Sequence, residues 1–249
     1  MKRLFFMALL VSCATVAQAQ VMETFACTLK EGKNVQNVWD TVELASAEYK
    51  KRMPPKDGFS MFLWFPERGS NQSDFIIGMN HRDLGDMAAS MAGFYTTGIV
   101  ETLGPRLADL SDCNSVVMDL NALKSGTYGN KEGDRVPDGM VETFACSLNL
   151  GKSLTDVSKA SDYWLQQVSK ISSPALKGYE ANIVTPIMGR VPGFDFGWIG
   201  VAANSETWAR GTMDYRGSKE GRAADARFAA LGQCQSNLWW GYWLIAPAA

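Results

Sequence analysis

His81 is the only histidine in the sequence, and it stands in the polar run Asn80–Asp83. Histidine is the usual side chain for general acid–base chemistry and a common axial ligand of haem. His81 is therefore the candidate catalytic residue, or the axial ligand if a haem binds, although nothing in the sequence requires a cofactor. The alternative is a solvated turn and helix cap, since aligning Asp74 with Asp195 places Ala202 opposite His81.

Two pairs of carboxylates recur along the chain, Glu23 with Glu142 and Asp74 with Asp195. Paired carboxylates can share acid and base roles when their surroundings separate their pKa values. Duplication of a segment explains the recurrence without any catalytic role. A structural role at the starts of strands is therefore favoured for both pairs.

Aromatic side chains are concentrated in the second half of the chain, at Trp198, Trp208, Trp239, Trp240, Tyr242 and Trp243. A cavity rimmed by indole rings would suit an apolar or aromatic ligand. Trp198 and Trp243 are the candidate ligand-binding residues. The alternative is that most of these rings fill a core.

Several kinds of chemistry are made unlikely by composition and motifs. The sequence has no nucleophile elbow, zinc-protease helix, phosphate loop or dinucleotide fingerprint in a supporting context. Its formal net charge is −2, with acidic and basic residues interspersed. Because nucleic-acid binding needs a basic surface, no nucleic-acid partner is expected.

One segment occurs twice. Residues 23–33 return as residues 142–152, identical at eight of eleven positions, with a cysteine, a glycine and a lysine in register. A match of this kind indicates an internal duplication. The chain is therefore predicted to contain two copies of one structural unit.

The cysteines fit one disulfide in each copy. Cys13 lies in a predicted leader, and the four remaining cysteines allow three pairings. The separations of Cys27 from Cys113 and of Cys146 from Cys234 are nearly equal, and both second cysteines stand in a C-x-S context. These pairings are predicted as structural disulfides. A metal site is not expected, because the sequence has no C-x-x-C motif and a single histidine.

The N-terminus resembles a secretory signal peptide. Two basic residues precede an apolar run, and the sequence Ala17-Gln18-Ala19 follows as a cleavage site. Residues 1–19 are therefore predicted to be removed, which makes the protein periplasmic or secreted. The alternative is a lipoprotein anchored at Cys13. No later stretch is apolar enough for a membrane span.

Each copy is predicted to run strand, helix, strand, strand, helix, strand. In the first copy the helices begin at Asn34 and Leu84, and the second is expected to break near Gly104-Pro105. In the second copy Ser153 begins a helix with a capping box, and residues 217–222 are expected to form a loop.

This element order is that of a ferredoxin-like unit, whose first and fourth strands pair antiparallel. Residues 20–123 and 140–249 are predicted to be the two units, joined by a polar, glycine-rich linker at 124–139. The antiparallel pairing would bring Cys27 beside Cys113, so that the topology and the disulfide support each other.

The strands carry apolar residues on both faces, as in Phe62-Leu63-Trp64-Phe65, which is typical of sheets covered on both sides. The bare faces of the two sheets are therefore expected to pack on each other. In these features the chain resembles the dimeric α+β barrel superfamily, which includes antibiotic-biosynthesis-type monooxygenases and haem-binding chlorite dismutases. The resemblance implies an α+β fold, a fused pseudo-dimer with a cavity between each sheet and its helices. It assigns no catalytic residue.

Two functions are consistent with these observations. The first is a non-catalytic binding or interaction protein, with a small apolar ligand or a protein as its partner. The second is a monooxygenase-like enzyme, cofactor-independent or haem-assisted, that acts on a small hydrophobic substrate. The missing catalytic motifs favour the first.

Overall fold

The structure is a computed structural model that describes residues 20–54, 56–69, 73–126, 135, 137–189, 191 and 193–247. The predicted leader at 1–19 and most of the predicted linker lie outside these residues. The strands are β1 (Gln20–Leu29), β2 (Ser60–Gly69), β3 (Phe75–His81), β4 (Ser111–Lys124), β5 (Gly139–Leu148), β6 (Glu180–Met188), β7 (Phe196–Ala202) and β8 (Gly232–Ile245). The helices are α1 (Val35–Arg52), α2 (Leu84–Thr96), α3 (Ile99–Leu110), α4 (Leu154–Val168), α5 (Pro174–Gly178), α6 (Ser205–Gly217) and α7 (Lys219–Ala229).

The eight strands form one closed antiparallel barrel in the order β1-β3-β2-β8-β5-β7-β6-β4. Four strands come from each copy of the duplicated unit. The two sheets meet edge to edge, because β2 pairs with β8 and β4 pairs with β6. The predicted fold class, two ferredoxin-like repeats fused as an α+β barrel, is confirmed. Closure also removes every exposed sheet edge.

Both faces of the sheet are covered, as the apolar strands predict. Inside the barrel, side chains from the two repeats form one core: Met22, Phe62, Trp64, Met118, Leu120, Val141, Val184, Ile199 and Trp239. Outside, α1 packs on the sheet of the first repeat through Val38, Trp39 and Val42. In the second repeat α4 packs on the sheet through Val157 and Ala160.

The disulfides join the first and last strands of each repeat. Cys27 lies directly opposite Cys113 in the β1–β4 ladder, and Cys146 lies opposite Cys234 in the β5–β8 ladder. Both bonds are present, with sequence separations of 86 and 88 residues. The predicted pairing is confirmed.

Two predicted helix boundaries are wrong. The break in the second helical stretch falls at Gly98, whose φ of 72° is in the left-handed region, and not at Gly104-Pro105, which lie inside α3. The chain tolerates Pro105 within the helix because Pro105 and Glu101, whose carbonyl loses its partner, are both exposed to solvent.

The second wrong boundary is the loop expected at 217–222. Only Ser218 separates α6 from α7, and its hydroxyl accepts a hydrogen bond from the amide of Gly221. The cap allows the next helix to begin at once. By contrast, the capping box at Ser153 is present as predicted. Among the described residues no helix has the length and apolar character to cross a membrane.

Candidate functional site

A cavity of about 390 Å³ lies between the sheet of the second repeat and the helices α4 to α7. We call it the helix-side cavity. Its apolar wall includes Phe144, Trp164, Leu176, Phe196, Trp198 and Phe228. Its polar groups are Glu142, Tyr179, Thr212, Tyr215, Arg216 and Asp225. The volume lies within the range of small-molecule sites, which are mostly apolar with a few polar groups.

Trp198 is the central ring of the apolar wall. Its ring meets that of Trp164 edge-on, with 4.6 Å between centroids, and that of Phe228 at 5.7 Å. Edge-to-face contacts of this kind hold aromatic rings in fixed orientations. The wall is therefore a preformed aromatic surface.

A line of polar groups runs from Trp198 to Glu142. The indole Nε1–H of Trp198 donates to the hydroxyl of Tyr179 at 3.4 Å, and that hydroxyl faces Glu142 Oε2 at 3.5 Å. Burial raises the pKa of Glu142, while Arg216 and the indole of Trp208 oppose that rise. Burial, together with the charge of Glu142, also raises the pKa of Tyr179. The cavity therefore contains a largely desolvated carboxyl beside a neutral phenol.

Gly200 explains how Tyr179 reaches this position. Gly200 pairs with Glu142 across β5 and β7, and a Cβ atom built at Gly200 would lie 1.5 Å from the Tyr179 hydroxyl oxygen. Any side chain there would displace the phenol. In the first repeat Met79 pairs with Glu23 at the matching register position. Gly200 therefore leaves room for the Tyr179 ring on the sheet of the second repeat, where the first repeat has Met79.

The corresponding region of the first repeat is filled by side chains. The rings of Tyr49 and Phe59 stack with 4.5 Å between centroids, and Phe94 meets Tyr49 at 5.9 Å. Ile77 takes the register position that Trp198 has in the second repeat. The two repeats therefore differ in the side chains that lie between sheet and helices, and the helix-side cavity belongs to the second.

A second cavity, of about 260 Å³, opens at one end of the barrel interior, and we call it the barrel-end cavity. Phe62, Trp64 and Trp243 contribute rings to its lining, and Lys124 and Glu180 contribute charges. Trp243 therefore lies inside the barrel, whereas Trp198 lies outside it. The two predicted ligand-binding residues do not share a cavity.

The other aromatic residues of the second half are also dispersed. Trp239 belongs to the barrel core and donates to the Thr143 hydroxyl at 2.8 Å, and Trp240 donates to Glu67 at 2.7 Å. Tyr242 packs edge-on against Trp39. The core interpretation is therefore right for Trp239, and a single indole-rimmed cavity is not what these residues form.

The repeated carboxylates have two different placements. Asp74 and Asp195 accept the backbone amides of Leu29 and Leu148, each at 2.8 Å, and so fix the ends of β1 and β5. Glu142 lines the helix-side cavity. Sequence reasoning placed both pairs in structural roles, and it missed Tyr179 and Arg216 altogether. The signal for this region was the replacement of Met79 and Ile77 by Gly200 and Trp198 between the repeats.

His81 lies at the end of β3 and is only 2% exposed. Its ring meets Phe59 edge-on, and neither ring nitrogen has a hydrogen-bond partner among the described residues. Burial, and to a smaller extent the charge of Lys56, lowers its pKa to about 4, although Asp86 acts in the opposite direction. His81 is a neutral buried imidazole that lines neither of the two cavities.

The residues present do not fit a haem. His81 is enclosed against Phe59, and the lining of the helix-side cavity contains no histidine or methionine. The cysteines there are joined in a disulfide. Tyr179 and Tyr215 could offer oxygen ligands, but burial raises the pKa of both and opposes the phenolate that iron requires. No step of any proposed reaction is routed through a haem.

The fold is shared with solved proteins of low sequence identity. A protein described as a possible monooxygenase from Fusobacterium nucleatum has a TM-score of 0.59 at 9% identity, over 93% of this chain and 95% of its own. A second such protein, from Lactobacillus acidophilus, has a TM-score of 0.57 at 14% identity, over 92% of this chain and 98% of its own. A protein described as a candidate chlorite dismutase has a TM-score of 0.51 at 12% identity, over 89% of this chain and 95% of its own.

These likenesses show the fold, as the predicted resemblance to the dimeric α+β barrel superfamily implied. No family model matches the sequence, and no curated protein matches it. The function therefore has to be argued from the site.

Proposed function

We propose that this protein binds a small, largely apolar aromatic molecule in the helix-side cavity. The observation that supports the proposal is a chamber of about 390 Å³ walled by aromatic rings and containing a single desolvated carboxyl beside Tyr179. A chamber of this kind buries the faces of a ring and offers its edge a few polar groups.

The contrast between the repeats supports a role in binding. Close packing is the usual state of a protein interior, and a cavity reduces stability. The first repeat packs Tyr49, Phe59 and Phe94 against one another in the corresponding region. A ligand gives a physical reason for the difference.

We also propose that the protein acts after export, in the periplasm or outside the cell. Two disulfides in a chain of this size are typical of oxidising compartments. The leader predicted at residues 1–19 supports the same location.

The two tryptophans on opposite sides of the barrel wall provide a matched test. Trp198→Leu is expected to weaken binding of 2-methylnaphthalene about tenfold, because it removes an aromatic face and apolar area from the helix-side cavity. Trp243→Leu is expected to leave the affinity unchanged, since Trp243 lines the barrel-end cavity. Both affinities can be measured by calorimetry or by naphthalene fluorescence.

The opposite pattern, with loss only on Trp243→Leu, would move the ligand into the barrel. Equal affinities for both variants and the native protein would remove both cavities from consideration. Circular dichroism of each variant checks that the fold is retained.

A cofactor-independent oxygenase is the second candidate function, and the observation that favours it is Glu142 on the wall of an apolar chamber. A carboxylate so placed can take a proton from an activated CH₂ group of a bound substrate. The resulting carbanion can reduce O₂, and oxidation of CH₂ by one O₂ to a carbonyl releases one water without any further reductant. Two proteins of this fold are described as possible monooxygenases.

For this second function, Glu142→Gln is expected to lower the rate of O₂ consumption with anthrone by about a hundredfold or more, because the general base is lost. Glu23→Gln, at the corresponding position of the first repeat, is the matched control and should retain the native rate. The measurement is an oxygen-electrode assay with product analysis. If the native protein consumes no O₂, or if the Glu142→Gln variant is active, this second function is wrong and binding is the one remaining candidate function.

A further inference from the structure

The helix-side cavity contains one strong hydrogen-bond acceptor that the protein leaves open to a ligand. The Tyr179 hydroxyl faces Glu142 Oε2 at 3.5 Å, and the Trp208 indole lies close enough to lower the pKa of Glu142. Apart from Tyr179 and the Trp208 indole, no described residue donates to the Glu142 carboxyl. The groups around the carboxyl are donors, so they favour its oxygens as acceptors.

The hydroxyl groups of the two tyrosines that line the cavity are already engaged. The hydroxyl of Tyr179 accepts from Trp198 Nε1 at 3.4 Å. The hydroxyl of Tyr215 donates to Asp225 at 2.8 Å. Glu142 therefore retains acceptor capacity at a desolvated position of the chamber, and an O–H or N–H group on the ligand would use it.

The charges of the lining point in the same direction. Glu142 and Asp225 are acidic, and Arg216 is the one basic residue among the lining residues. Arg216 lies in the last turn of α6 and is exposed, so solvent screens its charge. Glu142 lies deeper, where a like charge on a ligand would be poorly screened. An anionic group on the ligand is therefore disfavoured.

We propose, on the premise of the binding function above, that the ligand is an arene bearing a hydroxyl or amino group that donates to Glu142, and that aromatic acids are rejected. The ring lies in the chamber against the aromatic wall that Trp198 and Phe228 form, and its substituent points to the β5–β7 strand pair. Glu142 is then the residue that determines specificity, and Tyr179 positions its carboxyl.

Four naphthalenes of similar shape test this proposal: 2-naphthol, 2-naphthylamine, 2-methylnaphthalene and 2-naphthoate. Native protein is expected to bind 2-naphthol and 2-naphthylamine about tenfold more tightly than 2-methylnaphthalene, since one hydrogen bond to a desolvated carboxyl oxygen is worth about that ratio. It is expected to bind 2-naphthoate more weakly than 2-methylnaphthalene. Dissociation constants from calorimetry give all three comparisons.

Two substitutions separate hydrogen bonding from charge. Glu142→Leu should abolish the preference for 2-naphthol while retaining 2-methylnaphthalene, which also shows that the variant is folded. Glu142→Gln keeps an acceptor without the charge, so part of the preference should remain and the rejection of 2-naphthoate should be relieved. Glu23→Leu, at the corresponding position of the first repeat, should match the native protein in every comparison.

The possible failures are distinguishable. Equal binding of 2-naphthol and 2-methylnaphthalene, or a preference that survives Glu142→Leu, overturns this inference and leaves the binding function in place. Tighter binding of 2-naphthoate than of 2-methylnaphthalene overturns the charge argument. If none of the four compounds binds, the proposed function fails and the inference fails with it.

Discussion

Replacing either cysteine pair by alanine is expected to lower the free energy of unfolding by about 4–5 kcal/mol, because each bridge closes a loop of 86 or 88 residues in the unfolded chain. The pairs are Cys27 with Cys113 and Cys146 with Cys234. For a domain of this size the loss corresponds to a fall in melting temperature of roughly 10–15 °C. Calorimetry under non-reducing conditions measures it.

The two repeats make the experiment internally controlled. Each double variant removes one bridge from one half of the barrel, and the loops have nearly equal lengths, so the two losses should agree within about 1 kcal/mol. A quadruple variant, with all four cysteines replaced by alanine, lacks both bridges. The native protein in reducing agent should have the same free energy of unfolding as this variant. A loss of less than about 1 kcal/mol in the free energy of unfolding would contradict the prediction, because it would mean that the disulfide hardly restricts the unfolded chain.

His81 is expected to make the protein sensitive to mild acid. Burial lowers the pKa of His81 to about 4 in the folded protein, against an ordinary value of 6.5. As the pH falls below 6.5, His81 is protonated in the unfolded chain but stays neutral in the folded protein. The contribution of His81 to the free energy of unfolding is therefore fully present above pH 6.5 and is lost progressively down to about pH 4. This difference corresponds to about 3 kcal/mol.

The prediction is tested by urea unfolding of native protein and His81→Leu at several values between pH 7 and pH 4. Carboxylates titrate in both proteins, so the informative quantity is the difference between the two curves, which should change by about 3 kcal/mol in favour of the variant as the pH falls. The charged groups that act on His81 are Lys56 and Asp86, and they are the same in both proteins. Parallel curves would show that His81 titrates normally. His81→Asn provides a second, polar replacement.

The architecture could be predicted because it depends on patterns that a duplicated sequence shows twice. The repeated segment around Cys27 and Cys146 identified the unit, and the cysteine separations agreed with the pairing of its first and last strands. The apolar character on both strand faces indicated that each sheet is covered on both sides. These features are local in sequence or are fixed by topology.

The candidate site could not be predicted in the same way. Side chains alternate between the faces of a strand. Trp243 lies opposite Phe62 in the β2–β8 ladder and lines the barrel-end cavity, whereas Trp198 lies opposite Phe144 in the β5–β7 ladder and lines the helix-side cavity. The position of Tyr179 on the cavity wall depends on the missing side chain at Gly200, which leaves room for the phenol ring. The cavity is lined by residues that are far apart in the sequence, so its presence depends on tertiary packing that no local pattern shows.

Joining both repeats in one polypeptide has an evolutionary consequence. In a symmetric pair of identical subunits every substitution occurs twice, so a hollow opened in one half is opened in the other and its destabilisation is doubled. Here Gly200 and Met79 occupy the same register position in different halves and were free to diverge. The first half stacks Tyr49 on Phe59, whereas the second half carries the helix-side cavity. Two repeats in one chain can therefore differ in packing, whereas two identical subunits cannot.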